Sequence, residues 1–84
     1  MKIVFTKHAR DKFKMLAKHW FNLTGTDVIK VLENPEHEDK ETNLPNIIAS
    51  KSFDEKHVLR VVYKREDGII RVITFYPAEK GRYY

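Results

Sequence analysis

The sequence contains no cysteine, only three glycines and three prolines, and no long apolar run. The lack of cysteine excludes disulfides, zinc–thiolate centres and thiol nucleophiles. The apolar runs are at most three residues long, which argues against a transmembrane helix or a signal peptide. A Gly-rich phosphate loop and a nucleophile elbow are both missing, which excludes kinases, NTPases and the common hydrolases. We therefore expect a cytoplasmic domain that uses no cofactor.

The composition is that of one small folded domain spanning residues 1–84, with 42% hydrophobic and 33% charged residues. Its formal net charge is +4, and the charge is unevenly distributed. Residues 1–30 carry net +5, residues 31–46 net −4 and residues 47–84 net +3. A basic chain of this kind fits a polyanion or an acidic protein as a partner, although basic charge can also serve solubility alone.

The apolar pattern predicts an α+β fold of order β-α-α-β-β-β, with two helices packed on one face of an antiparallel sheet. The predicted elements are strands at 2–5, 47–53, 57–65 and 69–76, a helix at 7–20 and a second helix from 27 to Asn34-Pro35. Thr6 and Thr26 are the predicted N-caps of the two helices. Pro77 is predicted to end the last strand, which leaves an acidic connection at 35–46 and a basic aromatic tail at 77–84.

Asp67-Gly68 predicts a two-residue hairpin, because a type I′ turn needs positive φ at both central positions. A regular ladder from this turn directs one set of side chains toward the helices: Leu59, Val61, Tyr63, Ile70, Val72, Thr74 and Tyr76. It directs the other set to the opposite face: Val58, Arg60, Val62, Lys64, Arg71, Ile73 and Phe75. Cations among apolar and aromatic side chains suit a nucleic-acid backbone and its bases, and they also occur on ordinary solvated sheets. A slip of one residue would exchange the faces of one strand.

Histidines are the candidate general bases. His8 lies near a helix N-terminus, where the positive potential favours the neutral imidazole, and Lys12 one turn later has the same effect. A lone histidine at such a boundary more often simply packs. His57 is a second candidate, directed toward the helices. His37 lies in the acidic connection, where no residues at ligand spacing support a metal site.

The tail Lys80-Gly81-Arg82-Tyr83-Tyr84 combines two cations with two aromatic rings. Such side chains can hold a phosphate and stack on a base, or the tyrosines can fold back over the sheet edge. Both interpretations stay open.

An ordered set of short motifs spans nearly the whole chain. The motifs are Phe5-Thr6-Lys7-His8-Ala9, Val28-Ile29-x-Val31-Leu32-x-Asn34-Pro35, His57-Val58-Leu59-Arg60-Val61-Val62-Tyr63, Asp67-Gly68, Val72-Ile73-Thr74-Phe75-Tyr76-Pro77 and Arg82-Tyr83. In order and spacing they resemble a small prokaryotic domain-of-unknown-function family related to the RelE/ParE/BrnT toxins, in the barnase–EndoU–colicin–RelE nuclease group. The resemblance implies this fold and metal-free ribonuclease activity.

The positions to which the resemblance assigns function are His8, Arg60, Thr74, Tyr76, Arg82 and Tyr83. The family often has His-Ala-x-x-Arg in the first helix, and Lys12 at the last position keeps the charge but loses the bidentate fork. The predicted faces conflict with this assignment, since Thr74 and Tyr76 point toward the helices and Arg60 away from them. Either the site lies at the sheet edge or the predicted register is wrong.

The resulting hypothesis is a toxin-like, metal-independent endoribonuclease. His8 or Tyr76 would take the 2′-hydroxyl proton, and Arg60 and Arg82 would hold the phosphate. Further RNA contacts are expected at Lys12, Lys64, Arg71, Thr74, Lys80 and Tyr83. The alternative is a non-catalytic module that binds RNA or an acidic protein such as an antitoxin, and a third interpretation is a structural domain whose charge serves solubility.

Overall fold

Five strands and two helices make up most of residues 2–81, the part of the chain that the computed structural model describes. The elements are β1 (Lys2–Phe5), α1 (Lys7–Ala17), α2 (Gly25–Glu33), β2 (His37–Asp39), β3 (Ile47–Ser52), β4 (His57–Glu66) and β5 (Ile69–Glu79). The strand order is β1-β5-β4-β3-β2, and all pairs are antiparallel except β1 with β5. The predicted α+β class is confirmed.

The sheet has one strand and one parallel pairing more than the sequence pattern predicts. β2 forms within the acidic connection and pairs with β3, although its residues have little preference for strands. β1 pairs in parallel with β5, and the long connection that a parallel pair needs runs through both helices and the strands β2, β3 and β4.

Side-chain caps fix where the two helices begin. The Thr6 hydroxyl accepts a hydrogen bond from the Ala9 N–H at 3.1 Å, which confirms the predicted cap of α1. The cap predicted at Thr26 is wrong. Thr24 caps α2 instead, because its hydroxyl accepts from the Asp27 N–H while the Asp27 carboxylate accepts from the Thr24 N–H at 2.9 Å. This reciprocal capping box places Thr26 inside the first turn.

The core lies between the helices and one face of the sheet. It contains buried residues from α1, α2, β3, β4, β5 and the loop before α2: Ala9, Leu23, Val28, Val31, Ala49, Leu59, Val61, Tyr63, Ile70, Val72 and Phe75. Alternate residues of β4 therefore face the other way. We call that surface the helix-free face; on β4 it carries Val58, Arg60, Val62 and Lys64.

A β-bulge interrupts the hairpin of β4 and β5 and corrects the predicted faces. The pairing is regular from Glu66 with Ile69 to Tyr63 with Val72, but Val62 then pairs with Thr74. Ile73 is the extra residue, so every later side chain of β5 changes face. Phe75, predicted on the face away from the helices, is fully buried in the core. Thr74 and Tyr76, predicted to face the helices, lie on the helix-free face.

β5 continues beyond its predicted end at Pro77, which pairs with Leu59. β1 covers only Ile69–Val72, so this part of β5 has a neighbour on one side alone and tolerates a residue without an N–H. Residues 77–79 thus belong to the sheet and not to a tail. Within residues 2–81, neither helix has the length and apolar character needed to cross a membrane.

Candidate functional site

The bulge places Arg60 beside Tyr76 on the helix-free face. The two residues are direct partners across β4 and β5, and Arg60 Nε donates a hydrogen bond of 3.0 Å to the Tyr76 hydroxyl. The guanidinium carbon lies 5.7 Å from the centre of the tyrosine ring, within cation–π range. The conflict between the predicted faces and the residues assigned by resemblance is therefore resolved, because the predicted register was wrong beyond the bulge.

Arg60 and Tyr76 belong to a row of side chains that crosses four strands. Ser50 of β3 pairs with Arg60, and His37 of β2 pairs with Ser50. Directly paired residues share a face, so the row on the helix-free face reads His37, Ser50, Arg60 and Tyr76. We call these four residues the polar row. Neighbouring strands lie about 4.8 Å apart, which places the His37 and Tyr76 backbones on either side of Arg60, about 10 Å and 5 Å away.

Buried polar groups mark the centre of the polar row. Ser50 is fully buried and Arg60 is 8% exposed, whereas Tyr76 is half-buried and His37 is exposed. Within residues 2–81, the Ser50 and Thr74 hydroxyls are buried side-chain oxygens without a hydrogen-bond partner. Unpaired buried hydroxyls are costly to a fold, so they are candidates for binding a ligand.

The chemistry of the polar row suits a phosphodiester. A guanidinium offers five N–H donors in a planar fork that matches phosphate oxygens. The Tyr76 oxygen accepts from Arg60 Nε, so its own O–H is left to donate elsewhere. A neutral imidazole at His37 can accept a proton on the opposite side of Arg60. Nothing in the sequence assigns His37 and Ser50 to this site, because the register of β2 on β3 is set by tertiary pairing.

Lys64 and Arg71, predicted RNA contacts, lie opposite each other on the helix-free face, but both are paired with Glu66. The Glu66 carboxylate lies 3.1 Å from Lys64 Nζ and 3.4 Å from Arg71 Nε. The hydrogen bond from Lys64 lowers the pKa of Glu66, and the Arg71 charge adds to this while partial desolvation opposes it. The carboxylate therefore offsets part of the positive charge predicted for RNA binding.

The structure separates His8 and Lys12 from the polar row. Both lie on α1, which packs against the opposite face of the sheet. His8 is exposed and Lys12 is half-buried. The base role predicted for His8 therefore has no support from the geometry around Arg60.

His57 faces the helices, as predicted, and forms a pair with Asp54. His57 Nδ1 lies 3.0 Å from both carboxylate oxygens, and the ring meets Phe21 edge-on at 5.1 Å. Desolvation tends to raise the pKa of Asp54, but the net shift is downward because the Lys56 and His57 N–H groups and the imidazole donate to the carboxylate. These bonds shape the turn between β3 and β4, on the other side of the sheet from Arg60.

The remaining predicted contacts lie at the end of the chain. The Lys80 N–H donates to the Lys56 carbonyl at 2.9 Å, just after β5. Arg82 and Tyr83 lie outside the described residues, so the expectation that Arg82 holds the phosphate together with Arg60 stays a prediction. Within residues 2–81 there is no group of three or more histidine and carboxylate side chains placed to hold a metal ion.

Comparisons with known proteins give no relatives: no family model, curated protein or solved structure matches the chain. The resemblance to the RelE/ParE/BrnT toxins therefore stays an expectation from sequence motifs.

Proposed function

We propose that the protein binds RNA on the helix-free face and cleaves it as a metal-independent, toxin-like endoribonuclease. The observation that carries this proposal is the direct Arg60–Tyr76 hydrogen bond within the polar row. Cleavage at a ribose needs a base for the 2′-hydroxyl, a cation for the phosphate and an acid for the leaving 5′-oxygen. The polar row contains one side chain suited to each task.

The roles follow from the chemistry of the three side chains. A neutral imidazole accepts a proton near pH 7, which makes His37 the proposed base. A phenol keeps its proton at that pH, so Tyr76 is the proposed acid, and Arg60 stabilises the phenolate that forms when the proton leaves. Arg60 also carries the developing negative charge on the phosphate oxygens. The products are a 2′,3′-cyclic phosphate and a 5′-hydroxyl.

The test is incubation of the purified protein with single-stranded RNA in EDTA. Tyr76→Phe and His37→Gln are each expected to slow cleavage by about a hundred-fold or more, as for loss of a general acid or base. His19→Gln, on the loop after α1, is the matched histidine control and is expected to cleave normally. His8→Gln tests the role that the resemblance implies, and we expect no loss. Intact RNA at high protein concentration would refute the proposal.

The burial of Arg60 and Ser50 favours a second candidate function, a non-catalytic module that binds RNA or an acidic protein such as an antitoxin. Deeply held polar groups can bind an anion without reaching the geometry of a transition state. In that case RNA stays whole, and its affinity falls steeply with salt because cations on the protein displace counterions from the phosphates.

A further inference from the structure

Trp20 occupies a position in the fold that glycine usually fills. After α1, the Phe21 N–H bonds to the Leu16 carbonyl at 3.0 Å, and the Trp20 N–H bonds to the Ala17 carbonyl at 3.2 Å. These two bonds form a Schellman motif, in which the residue at the Trp20 position adopts the left-handed conformation. Trp20 does so with φ of 69°. A bulky side chain is strained there, whereas glycine is not.

The Trp20 side chain also does not stabilise the fold by burial. It is 91% exposed, the most exposed large hydrophobic residue in the described part of the chain. A tryptophan normally contributes to stability by removing a large apolar surface from water, and here that surface stays in solvent. Neither local conformation nor packing within the described residues accounts for tryptophan at this position, so we consider contact with a ligand.

The neighbouring residue holds the turn in place. The Phe21 ring packs edge-on against His57 with 5.1 Å between ring centres, and it lies 6.2 Å from the Phe53 ring. This aromatic contact ties the loop after α1 to the turn between β3 and β4. The indole of Trp20 therefore projects from an anchored turn, so little ordering is needed when a ligand binds.

The surface leading to Trp20 is cationic. Residues 7–18 contain five Lys or Arg and one acidic residue, Asp11, whose carboxylate lies 3.8 Å from Lys7 Nζ. Lys14 and Lys18 are both exposed on the last turn of α1 and the residue after it. An exposed indole beside several cations fits single-stranded nucleic acid, whose bases stack on aromatic rings while phosphates contact Lys and Arg.

We propose that Trp20 and the cations of α1 form a second binding surface, on which a base of a single-stranded nucleic acid stacks on the indole and a neighbouring phosphate contacts Lys18. This surface is separate from the polar row, because α1 packs against the opposite face of the sheet. It does not require the cleavage proposed above.

Trp20 is the only tryptophan in the chain, so tryptophan fluorescence, excited at a wavelength that the four tyrosines do not absorb, reports on this surface alone. The probe is a short oligothymidylate, which lacks the 2′-hydroxyl that cleavage needs and so separates binding from catalysis. Stacking is expected to quench the indole emission, and raised salt is expected to weaken binding. Tyr76→Phe is expected to quench normally even if it abolishes RNA cleavage. Absence of quenching at low salt would refute the proposal.

The decisive variant is Trp20→Gly, measured by anisotropy of a labelled oligothymidylate. Loss of one stacked base is expected to weaken binding by about five-fold or more. The same change is expected to raise Tm by about 4 °C, because glycine relieves the left-handed strain. Trp20→Tyr keeps a stacking ring and is expected to retain most of the affinity. Unchanged affinity in Trp20→Gly would overturn the proposal. It would also be overturned if anionic vesicles shifted the tryptophan emission to the blue while oligothymidylate caused no change, because Trp20 would then bind a membrane surface.

Discussion

Replacing Phe75 tests whether the β-bulge orients β5 as described. Phe75 is fully buried, and its ring centre lies 4.6 Å from that of Phe13. Truncating a buried phenylalanine to alanine costs about 3–5 kcal/mol. The whole domain is stable by about 4–13 kcal/mol, at the usual 0.05–0.15 kcal/mol per residue. Phe75→Ala is therefore expected to lose much or all of its stability, and Phe75→Leu, the milder change, about 1–2 kcal/mol.

Thr74→Val is the matched control on the neighbouring residue. The Thr74 hydroxyl is buried without a partner in the described part of the chain, so replacing it with a methyl group of similar shape removes an unmet hydrogen bond. We expect Thr74→Val to be neutral or to stabilise the protein by up to about 1 kcal/mol. Urea unfolding followed by circular dichroism measures the stability of all three variants. A regular hairpin without the bulge would direct Phe75 away from the helices, so a Phe75→Leu variant as stable as the parent protein would refute the described register.

Two further predictions concern the cap of α2 and the response to acid. Thr24→Ala removes one half of the capping box and is expected to lower the free energy of unfolding by about 1 kcal/mol. Thr26→Ala, inside the first turn, is expected to lower it by less than about 0.5 kcal/mol. Thermal unfolding measures both, and equal losses would contradict the assignment of Thr24 as the cap. The pKa of Glu66 in the folded protein is lowered mainly by Lys64. The Glu66 carboxylate therefore contributes its full stabilisation at a pH above the carboxyl pKa of the unfolded chain. This stabilisation is lost as the pH falls through the pKa of the folded protein. Urea midpoints measured as pH is lowered below about 5 are expected to fall less steeply for Glu66→Gln than for the parent protein, and identical slopes would contradict this.

The features predicted correctly from the sequence depend on local chemistry. β1 has the predicted bounds, Thr6 caps α1, and Asp67-Gly68 forms the hairpin turn with positive φ at both residues. In each case neighbouring residues determine the conformation through side-chain volume, a hydroxyl or backbone freedom. α1 ends three residues before its predicted end at Trp20, because a Schellman motif with tryptophan instead of glycine carries no ordinary stop signal.

The candidate site was harder to predict because its parts are joined by contacts distant in sequence. The family resemblance points to both Arg60 and Tyr76, but the predicted register puts them on opposite faces of the sheet. His37 lies in the predicted acidic connection, since nothing in His-Glu-Asp favours a strand until β3 pairs with it. Ser50 carried no signal at all, because its role comes from lying between His37 and Arg60.

The bulge itself is held from the other end of the chain. The Thr6 N–H donates to the Val72 carbonyl at 3.0 Å, and the Thr6 hydroxyl donates to the carbonyl of Ile73, the extra residue, at 3.1 Å. Thr6 thus starts α1 and also satisfies backbone groups that the bulge takes out of the regular ladder. Since the bulge directs Tyr76 to the face that carries Arg60, the junction of β1 and α1 helps to determine which side chains meet in the polar row. When the hairpin of β4 and β5 is considered without Thr6, its two-residue turn predicts the regular register, and the bulge is missed.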